Sequence, residues 1–161
     1  MTAMPPVVQL PPGALSRLPA TIAELVPTHS DRFLAALELG YLTASADGLD
    51  GSERDALAGV LERATQSKID HATFEAHFFD LDAAVAALGR RERLARTAAD
   101  FGTDDARADA IRFAALVAMA DGTLHGDELA VLAEAATHFG WPAERVSALV
   151  QEAAARVRGD A

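Results

Sequence analysis

Carboxylates gather at two places in this chain, each directly after an apolar run that ends in Ala-Asp-Gly. The first reads Ala46-Asp47-Gly48-Leu49-Asp50-Gly51-Ser52-Glu53, the second Ala120-Asp121-Gly122-Thr123-Leu124-His125-Gly126-Asp127-Glu128. Hard cations such as calcium and magnesium take several oxygen ligands. Asp47, Asp50 and Glu53 on one loop with Asp121, Asp127 and Glu128 on the other could supply them, and His125 would add a nitrogen suited to zinc or a similar ion. A divalent metal ion is thus the cofactor these residue types accommodate. Neither loop is an EF-hand, because the 12-residue alternation of ligands around a central Gly is missing from both.

The same residues have a structural reading. Gly48 and Gly122 can end helices in a positive-φ conformation. Asp47 and Asp121 can accept amides of the following turn. Glu53, Asp127 and Glu128 suit the first turn of a helix, where the dipole favours negative charge. An aspartate in the last turn of a helix, however, faces the negative end of that dipole, at a cost of about 0.3 to 1 kcal/mol. A local cap or a bound cation must offset it, and both readings stay open.

The elements that would carry these loops are doubled too. Sliding one copy onto the other superposes Leu37 on Ile111, Leu39 on Phe113, Leu42 on Leu116 and Ala44 on Ala118. Past the loops the register changes by one residue and pairs Glu53 with Glu128 and Leu57 with Leu132. Two similar helix-loop-helix units packed together are expected, rather than an open array of short repeats.

With 161 residues, half of them hydrophobic, the chain suits one core. A formal charge of −10 argues against nucleic acid, which needs a basic face to release counterions. The absence of cysteine excludes disulfides and thiol chemistry. The first residues lack the basic and apolar regions of a secretory signal. The run from Ala110 to Ala120 is far short of the roughly 20 residues of a membrane span. A cytoplasmic protein is expected.

Prolines at 5, 6, 11 and 12 make residues 1–13 an extended arm, and residues 14–158 read as one all-helical domain. A helix from Ala14 to Leu25 would end before Pro27, and Thr28, Ser30 and Asp31 offer caps for the next. Ser52-x-x-Asp55 predicts a capping box. Asp70 would cap a helix bearing Phe74 and Phe78, which runs on to Leu88 and stops at Gly89. A further helix starts at Asp104/Asp105, another runs from Glu128 to His138 and closes at Gly140, and Pro142 opens the last. Sustained period-two alternation is missing. The expected fold is an all-α bundle of about seven helices.

The Ala-rich helix, Ala-Asp-Gly, short loop and Glu-led helix, followed by Phe139-Gly140-Trp141-Pro142-Ala143-Glu144-Arg145-Val146, resembles the TerB-like domains associated with tellurite resistance. The resemblance covers roughly Asp31 to Val157. It implies an all-helical domain without catalytic activity, a role in chemical stress involving tellurium oxyanions or metals, metal binding at the acidic positions, and contact with membrane-associated partners. The first loop departs from the pattern by being one residue shorter, with Arg54 following Glu53, and the second by carrying His125.

Other candidates are weaker. His71 and Glu75, at i and i+4, could chelate a metal but more simply form a solvated face. Arg90, Arg91, Arg93 and Arg96 are the one concentrated basic stretch, suited to an anionic protein partner or lipid surface, or to pairs with Glu92 and Asp100. Trp141 beside Phe139 reads as a core plug. With no Gly-x-Ser-x-Gly elbow, Walker loop or His-Glu-x-x-His helix, the chain is not expected to be an enzyme. The function expected is a TerB-like module that binds a cation or partner through its two acidic loops. The alternative is an interaction domain whose acidic residues only cap helices.

Overall fold

The computed structural model describes residues 7–25, 30–46 and 48–159, without the side chains of residues 30–32. It is an all-α bundle. A 3-10 turn at Pro12–Arg17 leads into α1 (Leu18–Leu25). Then follow α2 (Ser30–Ala44), α3 (Gly51–Ala64), α4 (His71–Leu88), α5 (Arg90–Ala99), α6 (Asp104–Ala118), α7 (Gly126–Phe139) and α8 (Ala143–Arg158). The described residues thus hold eight α-helices. The segment expected as one helix from Ala14 is split between the 3-10 turn and α1, and the basic stretch forms α5. The caps expected at Thr28, Ser30 and Asp31 lie outside the described residues or side chains.

The centre is α6, which packs most extensively on α2 and also against α8, α1 and α7. Its apolar residues bury all round: Ile111, Phe113, Ala114, Ala115, Leu116 and Val117 are inaccessible to solvent, as expected for a helix enclosed by its neighbours. Phe33 of α2 meets Phe113 edge-on, and Tyr41 stacks on Phe78 of α4 with ring centroids 4.5 Å apart. At Gly40 the two central helices come so close that an added Cβ would lie 3.0 Å from Val117 Cβ.

Helix ends follow the side chains available to satisfy free backbone groups. Asp70 caps α4 by accepting from the Thr73 amide at 2.8 Å, and α4 stops at Gly89 with φ 87°. Gly140 ends α7 with φ 77°. The start of α3 differs from expectation: the cap is Asp50, not Ser52, and its box partner is Glu53, not Asp55. Asp50 Oδ1 accepts from the Glu53 amide at 2.8 Å, while Glu53 Oε1 accepts from the Asp50 amide at 3.1 Å. Aspartate caps at least as well as serine, and glutamate at the third helical position reaches back where the shorter aspartate does not. Asp55 is thereby left for another partner.

Residues 7–13 lie against the bundle. Val8–Gln9 forms β1, antiparallel to β2 (Thr123–Leu124), with Val8 opposite Leu124. Val8 and Leu10 are buried. Two residues per strand are too few to leave any alternation in the sequence.

Candidate functional site

The chain reversals after α2 and α6 are built alike at their glycines. Gly48 and Gly122 take φ of 89° and 92°, values at which a Cβ would be strained. The two reversals lie beside one another, since residues next to each line the same space. A cavity of about 290 Å³ opens between them. Its polar lining is Ser52 and Glu53 from the first loop and Asp121, His125 and Glu128 from the second. Its apolar lining includes Leu49, Ala56, Leu57 and Val117.

The acidic groups around this cavity differ in how far their hydrogen-bonding capacity is used. Asp121 is exposed and accepts from the Thr123 amide at 3.0 Å. Glu128 is buried, and its Oε1 accepts from the His125 amide at 2.8 Å. Glu53 is exposed, with one oxygen on the Asp50 amide. Asp50 stands outside the cavity lining. Its carboxyl is held below the usual range by the Glu53 amide and then by the Ser52 hydroxyl, which donates at 2.8 Å. Asp127 is exposed in the first turn of α7, away from the lining. Asp47 lies outside the described residues.

The second loop is also clamped from the N-terminal side. The Val7 amide donates to the Leu124 carbonyl at 2.8 Å and the Leu10 amide to the Gly122 carbonyl at 2.7 Å. Leu15 covers Gly122, with its Cδ1 3.4 Å from where a Cβ would be. The first loop is held instead by Arg54, whose guanidinium donates to the Leu49 carbonyl at 3.0 Å and approaches Asp82 at 3.7 Å.

The four arginines split in two. Arg90 points inward, donating to the Leu42 carbonyl and, at 2.5 and 2.8 Å, to the Ser45 carbonyl and hydroxyl. Arg93 forks onto Glu38 at 2.5 and 2.8 Å, and Thr97 donates to the same carboxylate at 2.5 Å. Arg91 and Arg96 remain on the surface beside Glu134 and Glu92. Trp141 packs edge-on against Phe139 at 5.3 Å and donates to Asp104 at 3.2 Å, with the Arg145 guanidinium 3.8 Å above its ring.

Among the described residues, one set of three ligand-type atoms lies within 4.8 Å of one another, and it is not in the loops. It consists of Asp55 on α3 with His71 and Glu75 on α4. The sequence showed the His71/Glu75 pair, but Asp55 joins it through the packing of α3 on α4, which no spacing along the chain encodes.

A match to the family described as Tellurite resistance protein TerB spans residues 33–151. The chain belongs to the TerB family. That span runs from the start of the described side chains of α2 into α8 and includes both loops. No curated protein and no solved structure matches the chain. No helix among the described residues is long and apolar enough to cross a membrane.

Proposed function

We propose that this TerB-family chain is a non-catalytic cytoplasmic module of a tellurite or chemical-stress response that takes up a positively charged group in the cavity between its two acidic loops. The observation carrying this reading is that both loops line the same cavity, so Glu53 faces one space with Asp121 and Glu128 although it lies far from them in sequence. A concave space edged by carboxylates favours a positively charged group.

The aliphatic part of the lining supplies no ligand atoms, and the volume far exceeds that of a bare ion. A lysine or arginine of a protein partner fits both features, its stem against Leu49, Leu57 and Val117 and its head among the carboxylates. A divalent ion drawn in by Asp121, Glu128 and His125, with Glu53 beside them, is the other source of charge; Asp50 and Asp127 stand away from the lining. An anionic partner would meet Arg91 and Arg96, because Arg90 and Arg93 are engaged internally.

The capping reading also has direct support, since Asp50, Glu53, Asp121 and Glu128 all accept local amides. Calorimetric titration with calcium, magnesium, manganese and zinc, and separately with a lysine-rich peptide, separates the readings. The cavity reading predicts saturable heat that weakens at least tenfold in Asp121→Ala and Glu53→Gln. Heatless titrations throughout would leave the acidic residues as caps alone.

A further inference from the structure

We propose that Asp55, His71 and Glu75 form a metal site for zinc or a similar borderline divalent ion, separate from the loop cavity and independent of the reading given for it. His71 Nε2 lies 2.8 Å from Asp55 Oδ1 and 3.5 Å from Glu75 Oε1. One imidazole with two carboxylates is the donor set zinc, iron and nickel accept, whereas calcium and magnesium prefer oxygen alone. In a tetrahedral zinc site with ligands at about 2.0 to 2.2 Å, neighbouring ligand atoms are roughly 3.3 to 3.6 Å apart. The His71–Glu75 separation already has that value, and the His71–Asp55 contact needs to open by about half an ångström. Asp55 and Glu75 are both exposed, so their rotamers are free to make that adjustment.

The surroundings hold the ring in place. The His71 amide donates to Glu62 Oε2 at 2.9 Å, pinning the first turn of α4 to α3. Asp70 caps the same turn. Gly59, one turn beyond Asp55 on α3, faces the imidazole; a Cβ there would lie 3.9 Å from Nδ1. With Nε2 directed at the two carboxylates, Nδ1 would carry the ring proton when a metal is bound, and the bare backbone at Gly59 leaves space for a water to accept it. Three protein ligands leave a fourth position open to solvent or to a donor from a partner. Without a metal, a proton on Nε2 bridges the same carboxylates, and this is the competing account of the cluster.

The test uses the full chain titrated with zinc by calorimetry and with cobalt(II) by visible absorption, a probe of low-coordinate nitrogen and oxygen sites. The variants are His71→Ala, Asp55→Asn and Glu75→Gln, with Asp121→Ala as the loop-cavity control and circular dichroism as the check on folding. One equivalent of cobalt should bind with a visible band and an affinity at least tenfold lower in each of the three site variants. Asp121→Ala should retain it. Absence of saturable binding in the wild type would overturn the proposal, as would binding indifferent to His71→Ala. Binding lost only in Asp121→Ala would place the ion in the loop cavity and overturn it equally.

Discussion

His71 and His77 sit on the same helix in opposite surroundings. His71 faces solvent, and its hydrogen bond to Asp55, with Glu75 adding to it, raises its pKa above the ordinary 6.5. His77 is half-buried, and its Nε2 is enclosed with no hydrogen-bond partner among the described residues. Burial pushes its pKa below 6.5, against the attraction of Glu38 and Asp80. In chelator-treated protein, NMR titration should find His71 protonated at a higher pH than His77, and Asp55→Asn should bring His71 back toward the ordinary value. The signs for stability are opposite. His71 contributes stability that is complete below 6.5 and lost as pH rises through its own raised pKa. His77 contributes stability present above 6.5 and lost as pH falls through its lowered pKa. Titration of the two rings in the reverse order would contradict these environments. The sequence identified His71 and Glu75 as a pair because they are four residues apart on one helix. Asp55 was assigned instead to a capping box that Asp50 and Glu53 form, so its meeting with His71 could be seen only once α3 and α4 were packed.

Between elements, the decisive approach is that of α2 to α6 at Gly40. Val117 is β-branched and wholly buried, with its Cβ and both methyls 3.0 to 3.1 Å from a Cβ at position 40. It has no room to turn away. Gly40→Ala should therefore destabilise by about 1 to 3 kcal/mol in urea unfolding, despite the better helix propensity of alanine. Adding Val117→Ala should relieve part of this, so that the double variant is more stable than the two single losses predict, with a coupling of about 0.5 to 3 kcal/mol. Strict additivity would show that the helices are not in contact there. Val117 also belongs to the lining of the loop cavity, which links this packing to the cavity. Helix ends set by a capping aspartate or a positive-φ glycine, as at Asp70, Gly89 and Gly140, were legible because the cause is local. The pairing of Val8 with Leu124 was not, because two residues on each side leave no pattern and the partners are more than a hundred positions apart.

At the scale of the molecule, the N-terminal segment and the second acidic loop act as one unit. Leu10 is buried and its amide holds the Gly122 carbonyl, so Leu10→Ala should cost about 2 to 5 kcal/mol. It should also speed hydrogen exchange at Thr123 and Leu124 before the rest of the bundle opens. Exchange that rises uniformly would mean the segment stabilises the bundle without positioning the loop. The all-α class and the family were both legible in the sequence, through helical periodicity and the repeated Ala-Asp-Gly. That the loops share a cavity was not, since it depends on how α2 and α6 cross. The central claim is that this shared cavity takes up a positive group. It is tested most directly by calorimetric titration of the His71→Ala protein, in which the α3–α4 cluster is disabled, with divalent cations and with a lysine-rich peptide. Saturable binding by at least one of them, weakened tenfold or more by adding Asp121→Ala, is the predicted result; no saturable binding, or binding that Asp121→Ala leaves unchanged, would contradict it.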